Sequence, residues 1–275
     1  MNFGIGSFAY RWAIGRQYYE PENPMSVEEL IDRVAAYGVK RILLCNNIPL
    51  HEFSTERLET IKYKLDKEGI IPETGSRGTE YDYFKKMIEV SEFLGSHILR
   101  VAWDMNRDTD AEGIRAQVLK GIETFKALMP ECRKHNVQIA VENGKLNDIY
   151  EIRDMAEGVD DDYFGVAVDT CNSTCFITPT EEVFRVLSPY AKSVHFKDYI
   201  VALDPRGDVI TGVPMGKGYV DFPKLIEILK ENEYEGNIFL ELYIDRCEKH
   251  EDTVQYEEEC VRQSMEYAKN TLKLY

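Results

Sequence analysis

Eight short apolar runs alternate with longer amphipathic segments along the chain. The runs are predicted strands, and they cover 4–9, 41–45, 70–74, 97–103, 138–142, 164–169, 193–199 and 237–243. Helices are predicted between them at 26–38, 55–68, 80–94, 110–135, 147–157, 180–188, from about 222, and at 252–271. Strict alternation implies a parallel sheet with helices outside it. Eight such units in 275 residues predict an α/β fold, a (β/α)₈ or TIM barrel, as one domain over residues 1–275.

The helix boundaries have local signals. Ser26 and Glu29 form a capping-box pattern, and Gly38 follows the end of the same helix. Pro130 removes a helix hydrogen bond, so we expect it to kink or split the helix at 110–135. The segment 199–219 is rich in Gly, Pro and Asp and is predicted to be a long loop.

An open doubly wound sheet is the alternative arrangement of alternating strands and helices. Its dinucleotide-binding form needs a glycine-rich turn that leads from a strand into a helix. The nearest match is Gly4-Ile5-Gly6, and no helix is predicted to begin there. The closed barrel is therefore favoured.

Four consecutive strands end on a side chain that can bind a metal. These residues are Glu142, Asp169, His195 and Glu241. Strand side chains alternate between faces, and in each run the candidate lies on the face opposite to the bulky aliphatic residues. All four are therefore expected to point into the barrel at its C-terminal mouth, where barrel enzymes carry out their chemistry. Carboxylates with one imidazole suit Mn²⁺, Co²⁺, Mg²⁺, Fe²⁺ or Zn²⁺.

Several motifs around these residues are shared with a known family. They are Val-Glu-Asn at 141–143, Val-Asp-Thr at 168–170, Val-His-Phe-Lys-Asp at 194–198, Gly-Lys-Gly-Tyr-Val-Asp-Phe at 216–222, and Tyr-Glu-Gly followed by Phe-Leu-Glu at 234–241. Through them the chain resembles the xylose isomerase-like TIM barrels, the sugar phosphate isomerases and epimerases. This group includes ketose 3-epimerases, hydroxypyruvate isomerase, inosose isomerase and dehydratase, and the endonuclease IV group.

The resemblance implies one divalent metal ion (Mn²⁺, Mg²⁺, Co²⁺ or Zn²⁺) held by Glu142, Asp169, His195 and Glu241. It also implies that Glu142 and Glu241 are the catalytic acid/base pair on opposite faces of the substrate carbon. A bound metal would polarise a carbonyl and stabilise an enediolate while one carboxylate removes the α-proton and the other returns it. The expected activity is isomerisation or epimerisation of a sugar, sugar phosphate or polyol ketone in carbohydrate metabolism. A dehydratase or lyase acting on a keto-cyclitol or sugar acid is the alternative, and product mass distinguishes the two.

Two positions depart from the epimerase pattern. Asn172 replaces a histidine three residues after the metal-binding aspartate, and Lys217 replaces an acidic residue between two glycines. Lys217 could meet an anionic substrate or could be a solvated loop lysine. The substrate-binding candidates are Lys197, Asn172, Glu73, Arg77, Trp103 and Arg206, each of which also has a purely structural explanation such as an ion pair or core packing.

Composition limits the remaining possibilities. A net charge of −16 argues against nucleic-acid and anionic-membrane binding, and no run approaches the roughly 18 apolar residues of a membrane span. The first residues lack the features of a signal peptide, and six scattered cysteines indicate reduced thiols, so a cytoplasmic location is expected.

The net charge and the set of candidate ligands also argue against two other functions. An endonuclease IV activity would need more histidines at strand ends, and a sugar-binding protein without activity would not need an intact ligand set. A homodimer or homotetramer is common in the resembling family. The acidic run 257–259 is expected to be a solvated helix face.

Overall fold

The computed structural model describes residues 1–15, 19–205 and 207–275. Its strands are β1 (Asn2–Gly6), β2 (Arg41–Leu44), β3 (Ile71–Arg77), β4 (Ile98–Ala102), β5 (Gln138–Glu142), β6 (Phe164–Asp169), β7 (Ala191–Phe196), β8 (Asp198–Asp204), β9 (Gly207–Val213) and β10 (Asn237–Leu240). Eight of them close into a parallel barrel in the order β1-β10-β7-β6-β5-β4-β3-β2. The predicted barrel is confirmed, with strand ends that differ from the sequence-based limits by a few residues.

Helices connect the strands on the outside. They are α1 (Arg11–Ile14), α2 (Val27–Ala36), α3 (Thr55–Glu68), α4 (Tyr81–Leu94), α5 (Ala111–His135), α6 (Ile149–Val159), α7 (Thr180–Leu187), α8 (Phe222–Glu231) and α9 (His250–Tyr267). The capping box of Ser26 and Glu29 is present at the start of α2. Pro130 does not split α5, which continues through it as one helix. Within the described residues, no helix has both the length and the apolarity needed to cross a membrane.

The segment predicted as a long loop is mostly a β-hairpin. Strands β8 and β9 pair antiparallel, from Asp198 opposite Val213 to Asp204 opposite Gly207. The prediction was wrong because the turn-forming Gly, Pro and Asp residues lie at the tip and base of the segment, while β-branched and aromatic residues occupy its arms. Arg206, a predicted substrate-binding residue, lies outside the described residues.

The strand register sets the position of the site. Asp169 of β6 pairs with His195 of β7, and His195 in turn pairs with Phe239 of β10. On the outer side, aliphatic residues such as Val141 and Val168 are fully buried in the core between barrel and helices. The two-residue period of each strand therefore separates a hydrophobic outer face from a polar inner face at the barrel mouth.

The acidic run at 257–259 is not a uniformly solvated face. Glu257 is fully buried, and its carboxylate accepts the backbone N–H groups of Trp12 (2.8 Å) and Ala13 (3.0 Å). Burial raises the pKa of Glu257 to about 7, although these two bonds oppose the rise. The prediction was wrong for this residue because Glu257 shares a helix face with the buried Cys260 and Val261, which are three and four positions further on.

Candidate metal centre

Four side chains converge at the C-terminal end of the barrel. Glu142 ends β5, Asp169 ends β6, His195 lies one residue before the end of β7, and Glu241 directly follows β10. Each offers one donor atom, and these atoms all lie within 4.8 Å of one another. All four residues are buried, with exposed fractions of 2% or less. The structure thus brings together the four residues that the strand-end pattern selects.

The imidazole faces all three carboxylates. Nδ1 of His195 lies 2.7 Å from Glu142 Oε1, 3.8 Å from Glu241 Oε1 and 3.9 Å from Asp169 Oδ2. Burial opposes a charge on the ring, but Glu241 and Glu142 outweigh it and raise the pKa of His195. Nδ1 is therefore the ring atom placed to share a cation with the three carboxylates.

Arg100 is a member of the site that the sequence analysis missed. It projects from β4, is 4% exposed, and forms an ion pair through Nη2 with Glu142 Oε2. Its Nη1 donates to Asn46 Oδ1 at 2.9 Å. Burial would raise the pKa of Glu142, but Arg100 and His195 lower it below its ordinary value. An arginine inside the apolar run at 98–102 was the available signal, since a charge in a barrel strand needs an internal partner.

Lys197 bridges two of the carboxylates. Its Nζ lies 2.8 Å from Asp169 Oδ2, 2.9 Å from Glu241 Oε2 and 3.5 Å from Asn172 Oδ1. Burial disfavours the ammonium, yet Asp169 and Glu241 raise the pKa of Lys197 well above its ordinary value. Arg100 and Lys197 together balance two of the three negative charges in the cluster.

The donor set fits a divalent cation. Ligands on opposite sides of an octahedral Mg²⁺ lie about 4.2 Å apart, because each bond is about 2.0 to 2.1 Å long. The observed 4.8 Å spread is therefore close to a coordination shell. Asp169 Oδ2 and Glu241 Oε2 are buried, and the Lys197 ammonium faces both of them at 2.8 and 2.9 Å. Burial raises the pKa of Asp169, and the neighbouring carboxylates contribute to the rise.

Other residues hold the ligands in place. The side chain of Asn143 accepts the N–H of Asp169 at 2.7 Å and donates to its carbonyl at 3.0 Å. Asp169 Oδ1 accepts the N–H groups of Cys171 and Asn172, both at 2.8 Å. Cys45 donates through Sγ to Glu241 Oε1 at 3.3 Å. Asp169 thus has one oxygen fixed by backbone groups and the other directed at the cluster.

A cavity of about 380 Å³ opens above the cluster. Glu142, Arg100 and Lys197 lie in its wall, as do Phe8 and Tyr243. Its size suits a small polyol rather than a polymer. Glu142 therefore belongs both to the cavity wall and to the carboxylate cluster.

The substrate-binding candidates differ in their positions. Lys197, Asn172, Arg77 and Trp103 line the cavity. Trp103 also packs against Phe125 with ring centroids 5.1 Å apart. Arg77 forms an ion pair with Asp104 at 2.8 Å. Their contact with a substrate stays a prediction, and Arg206 lies outside the described residues.

Glu73 lies away from the cavity wall, inside the barrel. It is 2% exposed, and its Oε1 accepts from Asn237 Nδ2 at 2.6 Å. Burial raises the pKa of Glu73 to about 7, because the opposing hydrogen bond from Asn237 is weaker. The shared parity with Arg77 is real, but the two residues are four positions apart on β3 and sit at different depths.

The glycine motif at 216–222 surrounds a protein carboxylate. Asp198 accepts the N–H groups of Gly216 (2.9 Å), Gly218 (2.8 Å) and Val220 (3.1 Å). A side chain at Gly218 would place its Cβ 2.2 Å from the carbonyl oxygen of Tyr199, so only glycine allows this approach. Lys217 is exposed beside this contact and is not part of the cavity wall.

Comparison with known proteins agrees with the fold. The family model described as the xylose isomerase-like TIM barrel matches residues 15–271. A 3-oxo-isoapionate decarboxylase from Pectobacterium atrosepticum is 20% identical over 269 residues, which cover 97% of this chain and 94% of that protein. An L-ribulose-5-phosphate 3-epimerase from Salmonella paratyphi A is 20% identical over 173 residues, which cover 62% and 59%.

Solved structures show the same architecture. A D-psicose 3-epimerase from Clostridium cellulolyticum H10 superposes with a TM-score of 0.75 at 14% identity, over 100% of this chain and 99% of that one. A protein from Mycobacterium smegmatis in complex with magnesium gives a TM-score of 0.65 at 16% identity, over 89% and 92%. The fold and its inward-facing acidic site define a class of barrel enzymes. The chain belongs to the xylose isomerase-like TIM barrel family, and the curated relatives named above are enzymes.

Proposed function

We propose that the protein is a divalent-metal-dependent enzyme that isomerises or epimerises a sugar, sugar phosphate or related polyol ketone. The observation that supports this proposal is the buried cluster of three carboxylates and one imidazole beside the cavity, whose donor atoms all lie within 4.8 Å of one another. The ion, Mn²⁺, Mg²⁺, Co²⁺ or Zn²⁺, would polarise the substrate carbonyl when bound. The names of the epimerase relatives support the same reaction class.

The residues around the cluster suit transfer of a proton on the carbon next to the carbonyl. Arg100 keeps Glu142 ionised, and an ionised carboxylate is the form that accepts a proton. Glu241 lies across the cluster and is our proposed partner for returning the proton. Removal of the α-proton leaves an enediolate. Return of the proton to the opposite face of the same carbon gives the epimer, and return to the neighbouring carbon gives the isomer.

The test is solvent exchange. Protein stripped of metal with a chelator and reloaded with each of the four ions is incubated in D₂O with ketoses, ketose phosphates and inososes. Proton NMR then follows loss of the α-proton signal. We expect exchange only in the metal-loaded protein, and its loss in Glu142→Gln. Glu59→Gln, on the exposed face of α3, is the control. Exchange that survives both chelation and Glu142→Gln would reject the proposal.

A lyase is the second candidate. The decarboxylase relative matches 97% of the chain, and a lysine ammonium lies in the cavity wall next to Asp169 and Glu241. A 3-oxo acid could lose its carboxylate as CO₂. The C–C bond breaks, its electron pair forms an enolate with the 3-oxo group, and the α-carbon takes a proton from solvent or from Lys197. Dehydration would instead begin with α-proton removal and expel a β-hydroxyl.

Product mass separates these reactions. Isomerisation and epimerisation conserve the mass of the substrate, dehydration lowers it by one water, and decarboxylation lowers it by one CO₂. The same metal-loaded protein is therefore incubated with keto-cyclitols and 3-oxo sugar acids, and the products are analysed by mass spectrometry. A product of unchanged mass from every reactive substrate would exclude the lyase.

A further inference from the structure

The cavity is rich in cations although the chain is strongly acidic. Arg11, Arg77, Arg100, Lys145 and Lys197 all lie in its wall, while the net charge of the chain is −16. Arg77 forms an ion pair with Asp104, Arg100 with Glu142, and Lys197 with Asp169 and Glu241. Lys145 differs, because no carboxylate of the described residues lies within ion-pair distance of it.

Lys145 lies on the loop that follows Glu142, a member of the carboxylate cluster. It is three residues beyond Glu142, so the two backbones are within about 11 Å of each other. Hydrogen bonds from Gly144 N–H to the Glu142 carbonyl (2.8 Å) and from Asn147 N–H to the Gly144 carbonyl (3.2 Å) fold the intervening loop. The side chain of Asn143 attaches the same loop to Asp169 on β6. The position of Lys145 is therefore fixed by the same contacts that hold the ligands.

The surroundings of Lys145 favour an incoming anion. Its Nζ lies 5.4 Å from the centroid of the Tyr243 ring, whose face attracts a cation. Burial lowers the pKa of Lys145, and Lys197 and Arg11 lower it further by repulsion. Arg100 and Lys197 already balance two of the three carboxylates in the cluster, so a divalent ion would make the floor of the cavity net positive. An anion placed between Lys145 and that floor would relieve repulsion on both sides.

We propose that Lys145 binds an anionic group of the substrate, a carboxylate or a phosphate, a few bonds away from the reacting carbon. This inference rests on the proposed function, since it takes the metal-loaded cluster as the place of reaction. It makes the preferred substrate an acidic sugar derivative rather than a neutral ketose. Lys145 is then a specificity residue, and Lys217 is not.

The test uses three probes with the same four-carbon skeleton. Isothermal titration calorimetry of the metal-loaded protein compares erythritol, erythronate and erythritol 4-phosphate. We expect at least one anion to bind about tenfold more tightly than erythritol. Lys145→Met should remove this preference, and Lys145→Arg should retain most of it. Tighter binding of erythronate assigns a carboxylate, and tighter binding of the phosphate assigns a phosphate ester.

Lys217→Met is the matched control, because Lys217 is an exposed lysine outside the cavity wall. Equal binding of neutral and anionic probes, no detectable binding of either anion, or a preference lost in Lys217→Met rather than Lys145→Met would overturn the inference. Calorimetry requires no turnover. A protein that prefers anions but shows no deuterium exchange would contradict the proposed function, whereas exchange without any anion preference would contradict this inference alone.

Discussion

Glu73 gives a prediction that separates a structural carboxylate from a substrate-binding one. It is almost fully buried in the barrel, and its pKa is raised from the ordinary 4.5 to about 7. Below pH 4.5 the carboxyl is protonated in both the folded and the unfolded chain, so it adds no pH dependence. Between 4.5 and 7 the unfolded chain loses the proton while the folded chain retains it, and stability falls as pH rises. Above pH 7 the carboxyl is ionised in both states, and the decrease in stability has reached its full size.

The size of this effect follows from the two pKa values. Each pKa unit is worth about 1.4 kcal/mol, so the rise from 4.5 to about 7 corresponds to about 3 kcal/mol above neutral pH. Glu73→Gln keeps the shape and one carbonyl oxygen for Asn237, and it cannot ionise. We therefore expect the variant to be more stable than the parent by up to about 3 kcal/mol at pH 8, with little gain at pH 4.5.

The assay is urea unfolding followed by circular dichroism at pH 4.5, 6 and 8, at constant ionic strength and with chelator throughout. Glu59→Gln, with an exposed side chain on α3, is the control for loss of one carboxylate. A stability difference that stays constant with pH, or a variant that is less stable at pH 8, would refute the reasoning. Metal-loaded Glu73→Gln should retain activity, and a large loss of activity would support the predicted role of Glu73 in substrate binding.

Two further predictions concern other buried groups. Asp198→Asn replaces one of two accepting oxygens with a donor that faces backbone N–H groups. We therefore expect the unfolding free energy to fall by about 1–3 kcal/mol and amide exchange at 216–220 to become faster. Unchanged exchange at 216–220 would contradict this prediction. Cys45 is buried, and burial together with Glu241 raises the pKa of its thiol. Iodoacetamide should therefore label the exposed Cys175 first, and equally rapid labelling of Cys45, measured by peptide mass mapping, would argue against this environment.

The barrel could be predicted because two simple periods specify it. Apolar runs and capping signals located the strands and helices, and side-chain parity placed Glu142 and Asp169 on the inner face. The alternation of side chains between the two faces applies to every residue of a strand. The positions of the strand-end residues could therefore be predicted once the sheet was assumed to close into a barrel. The four-residue cluster required no knowledge of distant contacts beyond that assumption.

What the sequence could not supply was the choice of partners after closure. Arg100 meets Glu142 only because β4 and β5 are adjacent, and its run gives no sign of which carboxylate it neutralises. Glu257 was misread because its neighbours in sequence are solvated while its own side chain points at the backbone of α1. The hairpin β8–β9 was missed because turn composition outweighed the strand-forming residues of its arms.

The contacts of Asp198 give the chain a place where it can vary. This carboxylate receives N–H groups from Tyr199 and from Gly216, at the two ends of the excursion that contains the hairpin. The two ends of the segment that contains the hairpin are thus held together by Asp198, one residue after Lys197. Homologous chains should be able to lengthen, shorten or rewrite the hairpin tip while the neighbouring lysine keeps its position over the carboxylates. New recognition surfaces could arise there without rebuilding the floor of the barrel mouth.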